Sequence, residues 1–220
     1  TSRAADLVRN FKEISADQIN VRKKDFWLLD YIKKSYSNVI TYNKFQDNLS
    51  YKKWKDAYYI VMDILDGREA AFSNPVEINL CAESIALMHN GSKGLREHLR
   101  NKYNKDFLDI SLKDKFQKAY DDLLWMKSLV KNYKYKNEFD TLFMNNVDEY
   151  LIEIEEVQKE FYKSKYDDLR KAGDTISLCH NDLAYHNFLL KNNEISIIDF
   201  DFMTIDLRIM DIGDFVLKSI

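Results

Sequence analysis

Two short segments of the chain bring together the residue types that phosphoryl transfer requires. Residues 180–187 read HNDLAYHN, and residues 197–201 read IIDFD. Here Asp182 can orient and deprotonate an attacking hydroxyl, while Asn187 and Asp199 can hold Mg²⁺ ions that bridge nucleotide phosphates. Because Asp182 and Asn187 are five residues apart on one loop, both can face the same phosphate. The pattern therefore predicts Mg²⁺-dependent phosphoryl transfer.

A β-hairpin is needed to bring the second segment beside the first. Residues 188–198 contain two apolar, strand-like runs that are separated by the turn signal KNN. A hairpin at this place would return Asp199 to the side of Asn187, where one metal ion could contact both side chains. The alternative is that Asp182 and Asn187 only cap a turn, while Asp199 ends a strand at the surface.

Three further acidic residues follow the second segment: Asp206, Asp211 and Asp214. Each could cap a helix or brace the catalytic loop. Since Asp is a common helix-capping residue, the sequence favours capping for all three.

With these motifs the chain resembles the aminoglycoside phosphotransferase and choline kinase group, and within it the CotS-type spore-coat proteins of endospore-forming bacteria. The resemblance runs from about residue 20 to the C-terminus. The segments GRE and FSNP are typical of this subgroup. The matching residues are Ile64–Glu69, Phe72–Pro75, Ile85–His89, Phe139–Asp140, Lys165–Tyr166, Cys179–Ala184, Asn187 and Ile198–Asp201.

This resemblance implies an α+β, protein-kinase-like (aminoglycoside phosphotransferase-like) fold with two lobes. Residues 1–62 would form a truncated N-terminal sheet lobe, and residues 63–220 a mostly helical C-terminal lobe that is truncated at its end. The strand before Asp66 would lead into the hinge between the lobes. Its backbone at Met62, Asp63 and Ile64 would pair with the adenine edge of ATP.

The resemblance also implies roles for two further residues of the site. His180 would brace the catalytic loop through backbone contacts. Asp201 would help to shape the metal or substrate side. The cofactors would be ATP and Mg²⁺.

The chain departs from the family pattern in its N-terminal part. No glycine occurs before Gly67, so a Gly-rich loop over the phosphates is missing from the sequence. The phosphate-binding strand lysine has no clear equivalent: Lys23 and Lys24 lie near its expected place, but a helical pattern begins at Asp25. The chain is a fragment, a chain with parts left out, or a degenerate relative. We expect it to be catalytically inactive on its own.

Periodicity and capping signals predict the remaining elements. A helix is expected in residues 1–20 and another in 25–34, followed by a strand in residues 57–64. Later helices are expected to begin at Pro75 and after Ser111, and a long one to cover residues 148–170. His89, near the end of the helix that begins at Pro75, is expected to be a packing residue.

Composition excludes several classes of protein. The net charge of −3 gives no support for nucleic-acid binding, and no run of 18 apolar residues predicts a membrane span. Cys81 and Cys179 are expected to be buried and reduced, which fits synthesis in a cytosol. No signal peptide is visible after Thr1. The resemblance places the protein in the spore coat.

Two functions remain open at this point. The first is a kinase that moves the γ-phosphate of ATP to a small hydroxylated or amine-bearing molecule. The second is a kinase-fold protein with weak or no catalysis that helps to assemble the spore coat and contacts other coat proteins. The three residues of the motif favour the first, whereas the missing Gly-rich loop and the resemblance to coat proteins favour the second.

Overall fold

A computed structural model of the protein describes residues 9–14 and 27–220, with side-chain surroundings for the latter range. The chain forms two compact units. The first consists of Thr1–Leu108 and Gly173–Ile220, and the second of Asp109–Ala172. The lobe boundary predicted at residue 62 falls inside the first unit and stays a prediction.

The first unit begins with a three-stranded antiparallel sheet in the order β1-β3-β2. Its strands are β1 (Arg9–Ile14), β2 (Lys52–Trp54) and β3 (Ala57–Asp63). The helix predicted for residues 1–20 is therefore wrong over β1. Apolar residues three apart in this stretch indicate a helix only locally, and pairing with β3 along all of β1 overrides that weak preference.

A helix, α1, covers residues 27–32 and supplies part of the apolar core of the first unit. Leu28, Leu29 and Ile32 are at most 1% exposed. The chain then runs to Val39, which bridges Ile197 in parallel. This bridge ties the segment after α1 to the hairpin that carries the predicted site.

The helix α2 (Pro75–Gly91) begins where its capping signals predict. The Asn74 side chain accepts a hydrogen bond from the Val76 N–H at 3.0 Å, and proline takes the first helical position. Cys81, Ile85 and Met88 are buried at helical spacing. The helix α3 (Leu95–Tyr103) follows α2.

The second unit is helical and consists of α4 (Leu112–Lys131), α5 (Glu138–Lys163) and α6 (Tyr166–Lys171). The prediction of one helix over 148–170 is wrong at both ends. The side chains of Asn137 and Asp140 form a reciprocal capping box that starts α5 ten residues earlier. The helix then stops at Lys163, and the chain restarts as α6.

The strands that hold the predicted site belong to the first unit. The strands β4 (Arg68–Glu69), β6 (Phe188–Lys191) and β7 (Glu194–Ile197) form one sheet. The strands β5 (Ile176–Cys179) and β8 (Thr204–Leu207) form another, and α7 (Ile209–Ser219) follows. The predicted hairpin is therefore present.

The hairpin turn between β6 and β7 has two residues. Asn192 and Asn193 both have positive φ, at 51° and 64°. This backbone matches the right-handed twist of the flanking strands, and asparagine tolerates it better than most residues. Within the described residues, no helix has the length and apolar character needed to cross a membrane.

Candidate active site

The hairpin brings the two motif segments to the same end of a sheet. Asn187 comes directly before β6, and Asp199 comes two residues after β7. The Ile198 N–H donates to the Asn187 carbonyl at 3.0 Å. Asp199 is the residue that follows Ile198, and it therefore lies next to this backbone hydrogen bond. It has left-handed backbone angles, with φ 59° and ψ 64°.

Asn187 also holds the segment that carries the predicted base. Its Nδ2 donates to the Asp182 carbonyl at 2.8 Å and to Asp182 Oδ2 at 3.2 Å. Asn187 is only 2% exposed, so this geometry is built into the interior. With the amide nitrogen used in this way, Oδ1 is the atom that Asn187 can offer to a metal ion.

His180 links the two segments from the inside of the fold. It is completely buried, and its Nε2 lies 2.8 Å from the Ile198 carbonyl. Its Nδ1 accepts a hydrogen bond from the Asp182 N–H at 3.2 Å. Since Nδ1 is an acceptor, the ring carries its proton on Nε2 and is neutral. Burial lowers the pKa of His180, which is consistent with this state.

Asp211, in the first turn of α7, forms hydrogen bonds that stabilise the loop at residues 180–182. Its Oδ1 accepts from the Asn181 N–H at 2.8 Å, and its Oδ2 accepts from the His180 N–H at 2.9 Å. The same Oδ2 lies 2.8 Å from His89 Nε2 at the end of α2. The capping interpretation is therefore wrong for Asp211. His89 does pack inside the protein, but it also connects α2 to the loop.

Asp214 makes the next contact between α7 and the loop. Its Oδ2 accepts from the Leu183 N–H at 2.7 Å, so this residue also braces the loop and does not cap a helix. Asp206 differs from both, because it lies in β8, where its Oδ1 accepts from the Leu207 N–H.

Lys218 is a site residue that the sequence did not reveal. Its Nζ lies 2.6 Å from Asp182 Oδ1 and 3.0 Å from Asp214 Oδ2. The hydrogen bond from Lys218 lowers the pKa of Asp182. Burial alone would lower the pKa of Lys218, but the two carboxylates outweigh this effect and raise it, so the ammonium stays charged. The i,i+4 spacing of Asp214 and Lys218 was the only sequence signal.

The three residues predicted to contact adenine lie at the end of β3. Met62 faces Asn10 of β1 on one side and bridges Tyr42 on the other, and Asp63 is the last residue of the strand. Ile64 lies beyond the strand and is 51% exposed. All three residues therefore lie at or next to the C-terminal end of β3.

The two lysines considered for the phosphate-binding strand stay untested. Lys23 and Lys24 lie outside the described residues. Lys12 lies in β1, opposite Ile60 of β3. It therefore occupies a strand that borders the one leading to the predicted hinge. The helical interpretation of residues 1–20 concealed this position.

The residues predicted to bind metal fit Mg²⁺ in chemical type. Among the described residues, no three His, Cys, Asp or Glu side chains cluster into a metal site. Mg²⁺ is commonly held by one or two protein oxygen ligands together with phosphates and water, so Asn187 and Asp199 would suffice. Asp201 lies in the short helix Phe200–Phe202, directly after them.

Comparison with known proteins identifies the family to which this part of the chain is similar. The sequence model for choline/ethanolamine kinase matches residues 101–218, which is more than half of the chain and includes every residue of the loop, the hairpin and Lys218. No curated protein sequence is significantly similar to the chain.

Several solved structures are similar. The aminoglycoside phosphotransferase of Alicyclobacillus acidocaldarius shares 19% identity over 96% of this chain, with a TM-score of 0.66. Spectinomycin phosphotransferase in complex with ADP and spectinomycin shares 16% over 94%, with a TM-score of 0.63. Choline kinase from Cryptosporidium parvum shares 14% over 94%, with a TM-score of 0.55.

The matched part of this chain corresponds to 61%, 60% and 52% of those three solved chains, respectively. At these identities the likeness shows the fold, and it confirms the predicted α+β, protein-kinase-like architecture. The family match adds the relationship in sequence. The chain belongs to the choline/ethanolamine kinase family and has the fold of the aminoglycoside phosphotransferases.

Proposed function

We propose that the protein is an ATP- and Mg²⁺-dependent phosphotransferase that acts on a hydroxyl group of a small molecule. The observation that carries this proposal is the double contact of Asn187, which bonds Asp182 through its side chain and Ile198 through its carbonyl. These contacts hold the base and the two metal ligands at one end of a hairpin. The ADP bound to spectinomycin phosphotransferase supports a nucleotide as the other substrate.

Each residue of the site has a defined task in this proposal. Asp182 accepts the proton of the acceptor hydroxyl while the new O–P bond forms and the bond from the γ-phosphorus to ADP breaks. Asn187 Oδ1 and the Asp199 carboxylate hold Mg²⁺, which neutralises charge on the phosphates when it is bound. His180 keeps the loop in place through Ile198.

The nucleotide would also contact the N-terminal sheet. The backbone at Met62, Asp63 and Ile64 would hold the adenine edge.

Two substitutions in the complete protein separate metal binding from catalysis. Asp199→Ala should abolish Mg²⁺-dependent ATP binding, measured by titration calorimetry with and without Mg²⁺. Asp182→Asn should leave ATP binding intact but lower turnover by about 10²–10⁴-fold, since Asp182 acts on the acceptor. Asp168→Asn, an exposed change in the second unit, is the matched control. ATP binding that survives Asp199→Ala undiminished would contradict the metal assignment.

This 220-residue chain is proposed to be inactive by itself, because the sequence contains no Gly-rich loop. Such a loop supplies backbone N–H groups that align the γ-phosphate, and losing one charge-stabilising contact of this kind costs about 2.7–4 kcal/mol. The test is ATP consumption by this chain and by a form extended at both ends. Comparable turnover by the short chain would refute the proposal.

The spore-coat role is a second proposal, and it rests on the resemblance of the GRE and FSNP segments. Glu77 connects these segments in the structure. Arg68 of the first segment makes a bidentate ion pair with Glu77 at 2.8 and 2.9 Å, and Asn74 Nδ2 of the second segment also donates to Glu77. A fluorescent fusion in a sporulating bacterium tests the location in the coat. Diffuse fluorescence throughout sporulation would contradict it.

A further inference from the structure

Lys218 forms an ion pair with Asp182, the proposed base. Its Nζ lies between two carboxylates, 2.6 Å from Asp182 Oδ1 and 3.0 Å from Asp214 Oδ2. The two acids and one base carry one net negative charge. The Lys218 side chain as a whole is 32% exposed.

The position of the acceptor hydroxyl follows from the same distances. The hydroxyl must come within about 2.6–3.2 Å of an Asp182 oxygen to give up its proton. If that oxygen is Oδ1, the hydroxyl lies at most about 6 Å from Lys218 Nζ. In choline and ethanolamine, only two carbon atoms separate the hydroxyl from the cationic nitrogen. Such a nitrogen would be a close neighbour of the Lys218 charge.

We propose that Lys218 determines acceptor specificity in this protein, because its ammonium group fills the place between Asp182 and Asp214 where the cation of a choline-like acceptor would be most stable. The acceptor is then a hydroxyl compound without a cationic group close to the hydroxyl, that is, a neutral or anionic one. This inference rests on the proposed function. It implies that the acceptor differs in class from choline and ethanolamine, the cationic compounds after which the family is named.

The surroundings of Lys218 keep its charge in place. Asp214 lies one turn before it on α7 and is itself fixed by the hydrogen bond from the Leu183 N–H. Asp182 is fixed by Asn187 Nδ2. A cationic ligand would therefore have to displace an ammonium that is bonded to two positioned carboxylates. Electrostatic repulsion from Lys218 would oppose it as well.

The test is the binding of choline chloride, measured by ligand-observed NMR on the whole protein. Lys218→Met removes the charge and retains a long side chain, whereas Lys218→Arg retains the charge. We expect Lys218→Met to bind choline at least about tenfold more tightly than the wild type, with Lys218→Arg close to the wild type. Adding Asp214→Asn to Lys218→Met should reverse the gain. Thermal unfolding identifies a misfolded variant, and Lys218→Gln replaces Lys218→Met in that case.

Equal choline affinity in the wild type and the charge-removing variant would overturn the inference. So would a wild type that binds choline more tightly than glycerol or glycerate, the neutral and anionic probes of similar size. ATP binding with Mg²⁺ is measured on the same wild-type sample. Its absence would contradict the proposed function, whereas ATP binding together with unchanged choline affinity in the variant would contradict only the role of Lys218.

Discussion

Replacing Asp211 by asparagine should weaken the fold as strongly as a change deep in the core. Asp211 is completely buried, and its two oxygens accept from the His180 N–H, the Asn181 N–H and His89 Nε2 at 2.8–2.9 Å. Asparagine has the same shape but only one acceptor oxygen, and its NH₂ group would face a donor. Breaking a buried, hydrogen-bonded charge site costs about 3–5 kcal/mol. That is a large part of the total of about 5–15 kcal/mol typical of a domain.

Urea unfolding of the wild type and Asp211→Asn measures this loss, with Asp168→Asn as the exposed control. The control should change the free energy of unfolding by less than about 0.5 kcal/mol. A double-mutant cycle with His89→Ala isolates the contact between α2 and α7. We expect a coupling energy of about 0.5–3 kcal/mol, because the two side chains share one hydrogen bond.

The same variant tests whether the brace matters to the site. At a temperature where Asp211→Asn is still folded, ATP binding with Mg²⁺ should fall, because the segment 180–182 loses one of its two backbone anchors to residue 211. A loss of less than about 1 kcal/mol in stability together with unchanged ATP binding would refute the reasoning.

Two further predictions concern stability. The hydrogen bonds from Arg68 lower the pKa of Glu77 from 4.5 to about 2, so Glu77 stabilises the fold above about pH 4.5 and this contribution is lost as the pH falls towards about 2. Thermal melts of Glu77→Gln should show a weaker dependence on pH over that window, whereas the exposed Glu83→Gln should behave as the wild type. At φ 64°, Asn193→Ala should cost about 1 kcal/mol and Asn193→Gly nothing, as measured by urea unfolding; equal values for both would contradict the turn geometry.

The features that could be predicted from the sequence are those whose structure is determined by neighbouring residues in the chain. Two apolar runs and the Asn-rich turn between them were enough to predict the β6–β7 hairpin, and the hairpin alone returns Asp199 to the side of Asn187. Likewise, the Asn74–Pro75 pair was enough to predict the start of α2.

The parts that the sequence missed depend on distant contacts. Asp211 reaches the His180 N–H across 31 residues, and Lys218 reaches Asp182 across 36. An aspartate or lysine on an amphipathic helix gives no local sign of such a partner. The error over β1 has the same origin, since its strand character comes from pairing with β3, which lies more than 40 residues away in sequence.

The cost of the loop's conformation supports phosphoryl transfer over a purely structural role. Asn181 and Asp199 both adopt left-handed backbone angles, with φ of 62° and 59°. Such angles cost on the order of 1 kcal/mol each for residues other than glycine, and they persist only where the surrounding structure enforces them.

Asp211 provides that enforcement at the first of these two positions. Its buried carboxylate accepts a hydrogen bond from the Asn181 N–H at 2.8 Å. A role limited to packing does not account for left-handed backbone angles at both Asn181 and Asp199. These features are instead explained if the loop and the end of the hairpin must present Asp182, Asn187 and Asp199 to one phosphate. Binding of ATP with Mg²⁺ is therefore the measurement that decides between the two roles.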